Sequence, residues 1–228
     1  VSVIGRGELL LRAKNYSGSG NWLDESGNGH DATPVSSPTF NDTYFTLNGT
    51  DHFTVADAAG LDFAETDDLT VMVRARTADV TPASDSILLA KKLGTTGAGA
   101  GYNIMLATTG TMNFRIADGA VSSNDAKGAS LINDVIFVAA GVRNTGDDDI
   151  EVFVDGVGSG SPTTDATTVT LANALTLNIG ASSSPGNYSA VDVFDVVLWR
   201  PPALTPAEVA QAGLELQTWR DPLLLGII

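Results

Sequence analysis

An all-β sandwich of two antiparallel sheets, closed by one short C-terminal helix, is the fold this sequence predicts, and three observations carry it. Short apolar runs recur between clusters of Gly, Ser, Thr, Asn and Asp, the spacing expected of a sandwich or barrel. The acid is 21 Asp against 6 Glu, and Asp favours turns where Glu favours helices, which places the charge on loops. Finally, Leu69-Thr70-Val71-Met72-Val73-Arg74-Ala75-Arg76 reads as a strand with a period of two. Leu69, Val71, Val73 and Ala75 face one way, and Thr70, Arg74 and Arg76 the other.

Further strands are predicted near residues 8–13, 43–48, 52–56, 86–91, 102–107, 111–117, 134–143, 149–155, 175–180 and 190–199. Thr108-Thr109-Gly110, between Tyr102 to Ala107 and Thr111 to Ala117, signals a hairpin. A longer hairpin turns through Arg143-Asn144-Thr145-Gly146-Asp147-Asp148-Asp149. A helix is predicted over 205–218. Thr205 is its N-cap, Pro206 suits its first position, and Glu208 completes a Thr-x-x-Glu capping box. Val209, Ala212, Gly213 and Leu216 form one stripe, and Asp221-Pro222 stops the helix. The remaining stretch, 221–228, ends Leu223-Leu224-Leu225-Gly226-Ile227-Ile228, an apolar tail that either packs on the sandwich or anchors the chain in a neighbour.

One domain over 1–228 accounts for the length, with 43% hydrophobic and 17% charged residues. No apolar run approaches the roughly eighteen residues that cross a bilayer, and Val1-Ser2-Val3-Ile4-Gly5 does not read as a signal peptide. Twelve basic and twenty-seven acidic side chains give a net charge of −15, which works against nucleic acid and anionic membranes as partners. Cysteine is absent, so neither disulfides nor thiolate metal sites are expected.

Candidate chemistry is sparse. Asp192 and Asp195 lie on one strand, but an offset of three is expected to set them on opposite faces. They could not then serve as the paired carboxylates of a retaining glycosidase. Asp147-x-Asp149-x-Glu151 has the two-residue rhythm but sits at a predicted hairpin tip with no aromatic beside it. Asp147, Asp148 and Asp149 could supply oxygens to calcium, but no Asp-x-Asp-x-Asp-Gly loop is present, and a solvated turn carrying repelling charge explains them better. His30 and His52 are too few and too distant in sequence for zinc, and no Gly-x-Ser-x-Gly elbow supports a triad. Gly97-Ala98-Gly99-Ala100-Gly101 leads into a strand, so no helix N-terminus waits there for a phosphate. Trp22, Tyr102 and Tyr188 are candidates for stacking on a sugar, but aromatics at strand ends are more often lids on a core. No catalytic, cofactor-binding or metal-binding residue is therefore assigned, and no ligand-binding residue is named.

Four segments share one further pattern: Trp22-Leu23-Asp24-Glu25-Ser26-Gly27-Asn28-Gly29-His30-Asp31-Ala32, Tyr44-Phe45-Thr46-Leu47-Asn48-Gly49-Thr50, Leu69 to Thr77, and Val191 to Trp199 followed by Leu204-Thr205-Pro206-Ala207-Glu208. In that order they resemble the concanavalin A-like jelly-roll sandwich of laminin G-type domains. With Glu8-Leu9-Leu10-Leu11-Arg12-Ala13 and Asn15-Tyr16-Ser17-Gly18, the likeness extends to laminin G-like virion proteins of tailed bacteriophages, from about residue 8 to about 217. The resemblance implies a non-enzymatic virion surface protein, decorating the capsid or mounted on the tail. Its partners would be other virion proteins and glycans, and its place the virion surface. The alternatives are an extracellular bacterial lectin-like module and, third, a glycoside hydrolase.

Overall fold

The computed structural model describes residues 2–94, 99–128, 131–183 and 187–218. In chain order its strands are β1 (Leu9–Arg12), β2 (Ala32–Val35), β3 (Thr39–Phe40), β4 (Phe45–Asn48), β5 (His52–Val55), β6 (Leu69–Arg76), β7 (Ser86–Lys91) and β8 (Gly101–Leu106). They continue as β9 (Thr111–Ala117), β10 (Ser122–Gly128), β11 (Ile136–Asn144), β12 (Asp149–Val154), β13 (Val157–Gly158), β14 (Thr163–Thr164), β15 (Leu177–Ile179) and β16 (Ala190–Trp199). The helix α1 (Pro206–Thr218) follows. The apolar tail, 221–228, and Gly97 and Ala98 of the glycine-rich run lie outside the described residues.

These elements form a jelly-roll sandwich of two antiparallel sheets. The first runs β13-β12-β11-β6-β16-β4-β3, with β1 also on β16 and β14 on β12; the second runs β10-β9-β8-β7-β15-β5-β2. Leu69, Val71, Val73 and Ala75 turn inward as the alternation predicts, and meet Phe53, Ile104, Phe114 and Ile179 from the opposite sheet. Gly141 of β11 lies where a Cβ would stand 2.2 Å from the Phe114 ring, so glycine there lets the layers close.

The other face of β6 is also covered. Met72 joins Val138, Val197, Trp199, Val209, Ala212 and Leu216 in a second core between the first sheet and α1. The helix starts as its capping box requires: the Glu208 amide donates to Thr205 Oγ1 at 3.3 Å, and the Thr205 amide donates to Glu208 Oε2 at 3.0 Å. The chain start is locked onto it, because Glu215 Oε2 accepts the amides of Val3 and Ile4 and Trp199 Nε1 donates to the Val3 carbonyl at 3.1 Å.

Five strands, β2, β3, β10, β13 and β14, lie outside the predicted set. Their sequences lack apolar alternation, and neighbours hold them instead. β10 reads Ser-Ser-Asn-Asp-Ala-Lys-Gly yet pairs with β9 along its whole length. Its Asp125 turns inward and accepts from the Val152 amide and the Thr163 hydroxyl.

Candidate functional site

The Trp22 motif is architectural. Asp24 accepts the amides of Leu10, Ser26 and His30 and the Ser26 hydroxyl, while Asn28 Nδ2 donates to the Glu8 carbonyl. Burial alone would raise the Asp24 pKa, but these donors outweigh it and hold it below the usual value. Gly27 and Gly29 take φ of 92° and 79°, which the turn needs. Trp22 itself is 1% exposed and packs on Phe45 and Phe53, so it offers no platform to a sugar. Tyr102 is equally buried, with its hydroxyl on the Leu61 carbonyl at 3.0 Å. Of the three aromatic candidates, Tyr188 alone remains at the surface, where its ring lies 5.5 Å from that of His52.

The expectation for Asp192 and Asp195 needs correction. A bulge interrupts β16, so that Val193 pairs with Ala75 while Asp195 pairs with Arg74. The extra residue, Phe194, resets the parity, and both carboxylates emerge on the same outer face. Each meets its own arginine: Arg76 bonds Asp192, and Arg74 Nη1 donates to Asp195 at 3.0 Å beneath the end of α1. Burial raises the Asp195 pKa, with Arg74 opposing it. Both carboxylates are thus engaged in joining β16 to β6, and Arg74 carries the link on to the Leu216 carbonyl of α1.

Asp147, Asp149 and Glu151 do share one groove of about 360 Å³, walled by Asp68 and floored by Leu204. An aromatic stands beside them after all, since Phe153 lines the same groove, although its ring belongs to the second core. Burial, then the charges of Asp147 and Glu151, raise the pKa of Asp149. Asp148 diverges, with φ 55°, into a separate cavity beside Arg143 and Asp165. Among the described residues, no three His, Asp or Glu side chains come together as a metal site. His30 is engaged with Glu8 at 3.0 Å, far along the chain from the His52–Tyr188 pair.

Motif reading had passed over the outer face of the second sheet, which is buried in its middle, at Ala90, Asn103 and Asn178, and open toward both sides, at Thr33, His52 and Thr54 and at Arg115 and Asn124. Pairing sets Asn124, Arg115, Asn103, Ala90, Asn178, Thr54 and Thr33 side by side, one from each of seven strands. Strands stand about 4.8 Å apart, so the span from Thr54 and its neighbour His52 to Arg115 is about 19 Å. Burial lowers the pKa of His52, which sits on this face with Nδ1 buried and unbonded. The Oδ1 atoms of Asn103, Asn113 and Asn124 are also buried without a hydrogen-bond partner. Side-chain amides with one aromatic pair at the end are chemistry suited to a polyhydroxylated molecule. The signal was present in the sequence as polar residues alternating with Tyr102, Ile104, Met112, Phe114 and Ile116, but only strand order aligns them.

A laminin G family model, described as the concanavalin A-like lectin/glucanases superfamily, matches residues 47–210. No curated protein matches the chain. Among solved structures, the binding domain of botulinum neurotoxin serotype G superposes with a TM-score of 0.71 at 13% identity, covering 92% of this chain and 51% of that one. The serotype D binding domain gives 0.69 at 10% identity, covering 96% and 53%. Trypanosoma rangeli sialidase gives 0.66 at 20% identity, covering 92% and 32%. The chain thus spans about half of the neurotoxin binding domains and a third of the sialidase, and at these identities the likeness is one of fold. With the matched model covering most of its length, the chain belongs to the concanavalin A-like lectin/glucanases superfamily, in its laminin G group.

Proposed function

We propose that this chain is a non-enzymatic, lectin-like binding domain that takes glycans on the outer face of its second sheet, and that it is carried on the surface of a tailed-bacteriophage virion. The observation that carries the glycan reading is the set of partly exposed polar side chains on that face, Asn124 and Arg115 toward one side and Thr33 and Thr54 toward the other, with the His52–Tyr188 ring pair beside the latter. The binding role named for the neurotoxin domains of the same fold supports it. The virion setting rests on the likeness of residues 8 to 217 to phage laminin G-like proteins, and its partners there would be capsid or tail proteins. Against catalysis stand the arginine pairing of Asp192 and Asp195 and the single-sign character of the Asp149 groove.

A glycan array tests the binding. A defined saccharide preference is expected, and Tyr188→Ala should weaken the preferred ligand by about tenfold, equivalent to about 1.4 kcal/mol. An array without any bound saccharide sinks the reading. Release of reducing sugar that vanishes in Glu151→Gln would replace it with a hydrolase. Copurification with phage particles tests the setting, and glycan binding without particle association would instead favour a bacterial extracellular module.

A further inference from the structure

Helix α1 presents two stripes of side chains, and the first sheet covers only one of them. Val209, Ala212, Gly213 and Leu216 are buried against the sheet. Ala210, Gly213, Leu214 and Gln217, at the i, i+3, i+4, i+7 spacing of a helix face, instead line a groove of about 440 Å³. Its other wall is Ile136, at the start of β11, and Asp155, just after β12. Leu214 is 55% exposed and Ile136 half-buried, so the apolar walls stand open to water. The helix cannot swing inward to close the groove. At Gly156 the β12–β13 turn already rests on Ala210, where an added Cβ would come within 3.1 Å of that residue.

The segment best placed to fill it is the one that follows α1. Gln217 lines the groove and Thr218 is the last described residue of the helix, so residues 219–228 set out from the groove's own rim. Pro222 lacks an amide proton and keeps Asp221 out of helical geometry, which ends the helical course and lets the chain reverse. Leu223-Leu224-Leu225-Gly226-Ile227-Ile228 then supplies five large aliphatic side chains and no charge. Reach is ample: six extended residues span about 20 Å, whereas the helix stripe from Gln217 back to Ala210 is about 10 Å long. Aliphatic runs of this kind seek a contact that removes them from water, and Leu214 and Ile136 offer one within that distance.

We propose that residues 223–228 turn back along α1 and dock in this groove, on Leu214 and Ile136, as an intramolecular strap. Docked there, the segment closes the open side of the helix and ties it to β11 through a contact separate from Leu216. The strap is independent of the glycan and virion readings, since it involves neither the second sheet nor a partner.

Urea unfolding tests the strap, on the full chain and on a chain shortened to end at Pro222, each with and without Leu214→Gln, a change that nearly preserves helix propensity. In the full chain Leu214→Gln should raise the unfolding equilibrium constant about tenfold, as loss of a buried leucine contact does. In the shortened chain, where Leu214 already faces water, the same change should alter it by about twofold or less. Equal effects in the two backgrounds, or a shortened chain as stable as the full one, overturn the proposal. Should the shortened chain not fold, the full chain still decides, because it has no cysteine of its own. Leu214→Cys combined with Leu224→Cys should close an intramolecular disulfide in dilute oxidising solution. A pair that stays reduced overturns the strap. So does a disulfide between molecules, or a dimer that dissociates on Leu214→Gln, and either of these assigns the segment to a second copy of the chain instead.

Discussion

Arg143 shows how a charged side chain can be wholly structural. It is 1% exposed, and its guanidinium donates to Asp165 Oδ2 at 2.7 Å, to the carbonyls of Ala64, Glu65 and Asp67, and to the Thr167 hydroxyl. Arg143→Met would leave Asp165 buried without its counter-charge and several carbonyls without donors. A loss of about 3–5 kcal/mol is expected in urea unfolding. Asp118 has a different signature. Burial would raise its pKa, but the amides of Thr168, Val121 and Ala120 outweigh that and hold it at about 2. A folded-state pKa below the unfolded 3.8 adds stability that is present above that pH and lost as the pH falls toward 2. Acid titration of stability should therefore be shallower over this window in Asp118→Asn than in the parent. Neither residue is distinguishable in the sequence from a solvated loop charge, because the partners that bury Arg143 lie about 20 and 75 residues away.

At the scale of elements, local patterns were reliable wherever one residue type had one plausible neighbour. The hairpin at Thr108-Thr109-Gly110 forms, with Gly110 at φ 76°. The capping box over Thr205 and Glu208 forms as well. The β16 bulge was illegible: nothing in Val-Asp-Val-Phe-Asp-Val marks Phe194 as the extra residue, and that single insertion moves Asp195 to the face of Asp192. The exchange of partners along β16 is its setting, since β4 pairs up to Val193 and β1 takes over at Asp195. Gly141 poses the related case of contact between layers. Gly141→Ala should drive a methyl into Phe114 and cost about 1–3 kcal/mol, measurable as a lowered denaturation midpoint with an unchanged slope. An unchanged midpoint would mean that the sheets are less tightly apposed than the Phe114 contact indicates.

For the molecule as a whole, the arrangement is three layers: second sheet, first sheet, and a cap made of α1 with the chain start. That cap explains why Thr70 and Arg74, polar positions of an alternating strand, are buried rather than solvated. Arg74 answers the helix directly through its bond to the Leu216 carbonyl at 3.1 Å. Leu216→Ala is expected to cost about 2–5 kcal/mol in equilibrium unfolding, a core-like value for a helix otherwise exposed on its far side. The sequence by itself determined the sandwich, most strand positions, the helix with its cap, and the family. Each of these is set by local periodicity, turn chemistry or a short motif. Only the tertiary structure decided which polar residues share a face, that Asp192 and Asp195 are spent on arginines, and that the second sheet aligns Asn124, Arg115, Asn103, Asn178, Thr54 and Thr33 across its strands. The reason is physical: strand order and register bring together residues from 33 to 178 that no local pattern connects, and one bulge suffices to reverse which side a carboxylate takes.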